Sequence, residues 1–172
     1  MSNHTKIILI RHGETEWNLS GRWQGHADSA LSGRGVTQGE ALGLRMENEE
    51  MDHFYTSDLE RDRPHEYDAF RNSGPEYQVP GGESYHQFYD RCSGALEELA
   101  HRHPGKVIGI VTHGGFLGAI FRYVLNIPLD AERNFVLLNC SINRLEKSAK
   151  GWNLVSWGDV AHLEGMDSLD DA

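Results

Sequence analysis

Two short apolar runs stand out along the chain. Residues 6–11, KIILIR, and residues 106–112, KVIGIVT, are rich in isoleucine and valine and are flanked by polar positions. Unbroken apolar runs of this length read as strands covered on both faces, the habit of parallel sheets. Both end in the same dipeptide, His12-Gly13 and His113-Gly114, with no wider repeat behind the echo. Helical patterns fill the space between. Ser32 to about Glu50 is helix-compatible with Ser32 as its cap, although the glycines at 33, 35, 39 and 43 weaken that helix. The segment "GRGVTQG" has no G-x-G-x-x-G spacing and follows no convincing strand, so it reads as a helix start and not a dinucleotide loop. Ser84 and Gln87 have the spacing of a capping box. Behind them Phe88, Cys92, Ala95, Leu96 and Leu99 fall on one helical face, closed by Pro104-Gly105. After Gly115, Phe116, Leu117, Ile120 and Val124 line another helix that stops before Pro128. The segment "YTSDLE" ends a short strand-like stretch. Two strands are expected near 134–146 and 151–157, at a sheet edge, followed by a frayed acidic tail.

Strands alternating with helices predict an α/β fold. The expected form is a three-layer α/β/α sandwich, with a mostly parallel central sheet and an antiparallel edge near the C-terminus. A chain of 172 residues is long enough for a substantial core, and one domain spanning 1–172 is the simplest division. In open sheets of this kind ligands bind beyond the carboxyl ends of the strands. Both His-Gly turns fall there. If their strands are neighbours, the two imidazoles face one crevice.

Composition narrows the functions. Sixteen Lys and Arg against 26 Asp and Glu leave a formal net charge of −10, which disfavours nucleic acids and anionic membranes as partners. Any bound anion must be captured by a local positive site working against the global field. No apolar stretch is long enough to cross a bilayer. The start, "MSNHTK", runs into a strand-like segment without the apolar core of a signal peptide, so a cytoplasmic location is expected. Cys92 and Cys140 match no zinc spacing and read as reduced core residues. The triplets "NHT", "NLS" and "NCS" are then chance. "MENEEMD" reads as a solvated acidic end. His101 and His103 sit at a predicted helix C-terminus, where the helix dipole favours a cation. Trp17, Trp23, Trp152 and Trp157 serve equally well as core or pocket wall, and the oligomeric state is not legible.

The chemistry gathers at the strand ends. Gly13 permits a sharp turn and close approach of a ligand to the main chain. His12 can act as a nucleophile at neutral pH, because an imidazole is then largely uncharged. Arg11 offers a planar fork of donors that suits phosphate oxygens. Arg61 follows the second strand-like segment, and His113 ends another. Two arginines and a protonated histidine would offset the charge of a phosphoryl group in flight, and phosphoryl transfer asks mostly for positioning and electrostatic stabilisation.

The segments "LIRHGETEWN", "GRWQGHADSALSGRG", "YTSDLER", "PGGES" and "VTHGG" resemble the histidine phosphatase superfamily, the phosphoglycerate-mutase-like proteins. They occur in family order over most of the chain. The resemblance implies that His12 is the nucleophile that becomes phosphohistidine, and that Arg11, Arg61 and His113 form the phosphate pocket. It implies that Asn18, Gln24 and Gly25 contact phosphate or substrate, and that neither metal nor cofactor is needed. The substrate is then a small phosphorylated metabolite. In one place this chain departs from the family. The family's helix after S-D-L-x-R, and the following segment whose glutamate donates a proton to the leaving oxygen, are shortened by a few dozen residues. Here "SDLERD" leads almost directly to "RPHEYDAFRNSGPEYQVPGGES". Three readings remain: a disordered segment left out of the chain between residues 59 and 64, a true deletion, or a minimal member that works without that acid. The family-like flanks favour the first. If "ERD" belongs to the far side of the gap, Glu60 is the acid and Arg61 is not the pocket arginine. The leading expectation is a phosphate-monoester phosphatase. The alternatives are a phosphoglycerate mutase, which returns the phosphoryl group to substrate, and a pseudoenzyme that binds phospho-ligands without turnover.

Overall fold

The computed structural model describes residues 4–20, 29–56, 74–78 and 82–166. The first isoleucine run forms strand β1 (Thr5–Arg11), and alternation along it explains the layering. Ile7 and Leu9 point to one face and Ile8 and Ile10 to the other, and all four are buried. Each such side chain contributes about 1.5–3 kcal/mol by leaving water. After a short helix α1 (Glu16–Leu19) comes α2 (Gly33–Met46). Leu42 and Met46 of α2 cover Ile8 and Ile10.

Strand β2 (His53–Thr56) follows, then helix α3 (Tyr85–Arg102), strand β3 (Val107–Thr112) and helix α4 (Gly114–Leu125). Cys92, Leu96 and Ala100 of α3, with Leu117, Ala119 and Ile120 of α4, pack on Ile7, Leu9, Ile108 and Ile110. Among the described residues, one helix on one face and two on the other make the expected α/β/α sandwich. The chain closes with β4 (Ile142–Ser148), β5 (Gly151–Asp159) and a 3-10 turn at Ala161–Leu163.

Among the described residues the sheet order is β2-β3-β1-β4-β5. β1 and β2 each pair with β3 in parallel, while β4 runs antiparallel to both β1 and β5. The sheet is thus mixed, with two parallel pairings and an antiparallel C-terminal edge in place of the mostly parallel sheet expected. The β1–β3 register sets Arg11 opposite Thr112, so the two His-Gly turns leave the sheet side by side.

Several boundaries differ from the sequence pattern. The four glycines do not break α2, which Ser32 caps by accepting from Gly35 N at 2.9 Å, but the helix ends at Met46. The penultimate strand begins at Ile142, not near 134. Residues 137–141 leave the ladder because their backbone groups bond to the end of β1 instead. The last strand extends to Asp159.

Candidate active site

Arg11 closes β1 with only 3% of its surface exposed. Its backbone N–H donates to Ser141 O at 3.1 Å, and its guanidinium Nη1 donates to Leu137 O. The cation is therefore anchored at the strand end, and residues 137–141 form a strap beneath it. Within the strap Cys140 takes the left-handed backbone conformation, φ 53°, which costs a residue with a side chain on the order of 1 kcal/mol or more. Burial pushes the Cys140 thiol up to about 11 and that of Cys92 up to about 12. Neither is a thiolate nucleophile at neutral pH.

His12 follows directly, half-buried. Its backbone N–H donates to Thr112 O at 3.0 Å, continuing the ladder one residue past the strand. The ring Nδ1 lies 2.7 Å from the Gly13 carbonyl oxygen. A carbonyl only accepts, so this contact assigns the proton to Nδ1 and leaves the lone pair on Nε2. The His12 ring stands with its centroid 4.9 Å from that of His113, the planes tilted by 57°. His113 is the N-cap residue of α4 and makes no side-chain cap hydrogen bond. The first turn of α4 begins there, with the partial positive charge of its N–H groups. Two imidazoles and a helix N-terminus thus lie just beyond the end of the strand that carries Arg11.

The turn after His12 is held from below. Gly13 does not need positive φ; it needs space, since a Cβ there would lie 2.8 Å from Gly35 O. Glu14 is fully buried. Its carboxylate accepts from Ser32 Oγ at 2.6 Å and faces Arg34 Nη1 at 3.5 Å, while its N–H donates to Gln38 Oε1 at 3.0 Å. Thr15 and Asn18 form a capping box around α1. Thr15 N and Oγ1 both donate to Asn18 Oδ1 at 2.9 Å, and Asn18 N donates to Thr15 Oγ1 at 3.2 Å. One end of the Asn18 amide is therefore structural.

The structure brings Arg11, His12 and His113 together. Gln24, Gly25, Glu60 and Arg61 lie outside the described residues, as does the 59–64 junction. Among the described residues no group of three or more His, Cys, Asp or Glu could hold a metal ion, and no helix is long and apolar enough to cross a membrane. Glu14 and Asn139 escaped sequence reasoning. For Glu14 the signal was the run Arg-His-Gly-Glu-Thr itself. For Asn139 the apolar context looked like an ordinary strand.

A family model described as the histidine phosphatase superfamily (branch 1) matches residues 7–64 and 61–160, two stretches that meet at the shortened region. A metal-independent phosphoserine phosphatase of Arabidopsis thaliana is 33% identical over 211 residues, covering 98% of this chain and 87% of that protein. A probable phosphoglycerate mutase, GpmB, of Cronobacter sakazakii is 31% identical over 211 residues, covering 95% and 98%. Both comparisons run over more positions than the 172 residues present here, so several dozen positions of each relative have no counterpart. Among solved structures, a phosphoserine phosphatase of Entamoeba histolytica, a variant in complex with phosphoserine, superposes with a TM-score of 0.78 at 23% identity. That match covers 92% of this chain and 99% of the other, and it shows the shared fold.

Proposed function

The chain belongs to the histidine phosphatase superfamily, branch 1, and we propose that it hydrolyses phosphate monoesters through a phosphohistidine at His12. The observation that carries this reading is the pairing of the His12 and His113 rings at 4.9 Å beyond the carboxyl ends of two adjacent parallel strands. In the first half-reaction His12 Nε2 attacks phosphorus in line. The N–P bond forms as the P–O bond to the leaving group breaks. Arg11, Arg61 and His113 hold the equatorial oxygens and offset their charge. In the second, water attacks phosphorus, the N–P bond breaks, and inorganic phosphate leaves with the imidazole restored. The Nδ1 contact to Gly13 O supports the attack by keeping the lone pair on Nε2.

The substrate in this reading is a small phosphorylated metabolite. Relatives named phosphoserine phosphatase, and one solved with 3-phosphoglyceric acid, favour a compact acidic phosphomonoester. The departing oxygen needs a proton unless it is a good leaving group. Glu60 is the candidate donor near the shortened region, on the reading in which Arg61 does not serve the pocket. Relatives named as probable phosphoglycerate mutases favour a second reading, in which the phosphoryl group returns to substrate. Interconversion of 3- and 2-phosphoglycerate, assayed with and without bisphosphoglycerate, separates the two.

The deciding experiment compares the parent with His12→Ala on p-nitrophenyl phosphate. The expected loss is at least about a thousandfold in kcat, with no phosphohistidine trapped on rapid quench. Parent-level turnover by His12→Ala would refute the mechanism. Tight phosphate binding by the parent without any phosphohistidine would leave only a phospho-ligand binder.

A further inference from the structure

We infer that Asn139 is a positioning residue for the reaction: through the strap 137–141 it clamps the His12 carbonyl and so holds the His12 imidazole in its attacking orientation. The inference rests on the phosphohistidine reading above and adds to it a residue that never meets the substrate.

Asn139 is fully buried, and its Nδ2 donates to His12 O at 3.2 Å. Cys140 N donates to the same oxygen, also at 3.2 Å. Both lone pairs of that carbonyl are thereby occupied by donors 127 and 128 positions away along the chain. Two further bonds tie the strap to the preceding residue, Arg11 N to Ser141 O and Arg11 Nη1 to Leu137 O. The strap departs from regular strand pairing to make these contacts, and Cys140 accepts a left-handed backbone in doing so, φ 53°. A buried amide and a strained residue, both directed at one carbonyl, are more than ordinary loop packing requires.

The consequence for the imidazole follows from connectivity. The His12 carbonyl belongs to the peptide between residues 12 and 13. The oxygen that receives Nδ1–H belongs to the next peptide, after Gly13. Glycine restrains its own torsions weakly. Clamping the first peptide plane therefore limits where the Gly13 carbonyl can sit, and with it the tautomer and direction of the ring. Misplacement by about 1 Å is enough to cost about a hundredfold in rate.

The test uses the full chain with Asn139→Ala and the isosteric Asn139→Asp, which keeps the shape but, ionised, cannot donate. Three quantities are measured: the rate of phosphohistidine formation from p-nitrophenyl phosphate on rapid quench, kcat against KM, and inhibition by inorganic phosphate. Asn139→Ala is expected to slow phosphohistidine formation about 10- to 100-fold, with KM and phosphate inhibition changed less than about threefold. Asn139→Asp is expected to be at least as slow at pH 8 and to recover relative to the parent as acidification turns the carboxyl into a donor. Uncharged Asn139→Ala shows no such recovery. Parent-like formation rates in either variant at pH 8 overturn the inference, as does equal loss of rate and phosphate binding, which would mark general collapse. Should Asn139→Ala fail to fold, the pH profile of Asn139→Asp decides alone. A parent protein that forms no phosphohistidine defeats the functional reading itself, and is seen before any variant is compared.

Discussion

Glycines 35 and 39 lie one helical turn apart in α2 and do opposite things. At Gly35 a Cβ would fall 1.9 Å from the Glu14 carbonyl oxygen, whereas at Gly39 it would meet nothing within 4 Å. The first glycine lets α2 press against the turn that carries His12. The second merely weakens a helix. Gly35→Ala is therefore expected to cost about 1–3 kcal/mol through backbone displacement and to depress kcat, because the turn it displaces supports the site. Gly39→Ala is expected to stabilise by about 0.5–1 kcal/mol with activity unchanged. Denaturant midpoints and steady-state rates check both. From sequence the two glycines looked alike. What separates them is a neighbour some twenty residues away, which no local pattern encodes. The same holds at Gly13, expected to serve a sharp turn and the close approach of a ligand, where a Cβ would also lie 2.8 Å from Gly35 O.

Helix α3 shows how much local sequence can say. The capping box at Ser84 and Gln87 forms as its spacing predicts. Gln87 N donates to Ser84 Oγ at 3.2 Å, and Ser84 N donates to Gln87 Oε1 at 2.9 Å. Ser84→Ala is expected to lower stability by about 1 kcal/mol, read as a shift in unfolding midpoint without a change in slope. The apolar stretch 135–138 shows the limit. Phe135 stacks on Phe121 at 4.1 Å and lies 5.7 Å from the Arg122 guanidinium, and Leu137 enters the core. Leu137 is buried like a strand residue, but its carbonyl accepts from the Arg11 guanidinium, and the next residues, Asn139 and Cys140, donate to His12 O. Burial sets the apolar pattern, and hydrogen bonding sets the element. Only the first is written locally. The helix α1, with its Thr15–Asn18 box, is similarly too short to announce itself.

The whole molecule carries a second histidine pair, away from the crevice. His103 caps the C-terminus of α3, its ring centroid 3.8 Å from that of His53 with the planes tilted by 32°, and its Nε2 2.7 Å from Tyr55 OH. Loss of solvation, then the neighbouring His53 and Arg102, hold its pKa below the ordinary value. The ring expected to favour a charge at a helix end is thus disfavoured from carrying one. Burial likewise lowers His162, whose ring lies near Cys140, Asp159 and Arg45. For both, the unfolded state takes up protons more readily than the folded state. Each is therefore a source of stability that declines as pH falls through and below about 6.5. The carboxyls of Asp52, held low by Lys106 and the Val107 N–H, and of Glu97, held low by Lys147, Tyr123 and Trp152 against the cost of burial, act in a lower window. Their stabilisation is lost as pH falls below about 4.5. Melting temperature is expected to decline in two phases on acidification. A His103→Gln, His162→Gln double variant should flatten the upper phase and leave the lower one intact. Identical profiles for parent and variant would contradict the assignment.

Read alone, the chain of residues determined the strand–helix alternation, the two His-Gly strand ends and the kind of chemistry that Arg11, His12 and His113 can perform. Those features depend on side-chain type, local periodicity and short spacing, all of which are properties of contiguous segments. The tertiary structure alone decided that β1 and β3 are neighbours in register, bringing two imidazoles 101 positions apart in sequence to 4.9 Å. It alone decided that residues 137–141 leave the sheet to grip the His12 turn, and that Gly35 must stay bare. Each of these depends on which distant backbone groups satisfy one another, and a hydrogen-bond partner far along the chain leaves no mark in the residues around it.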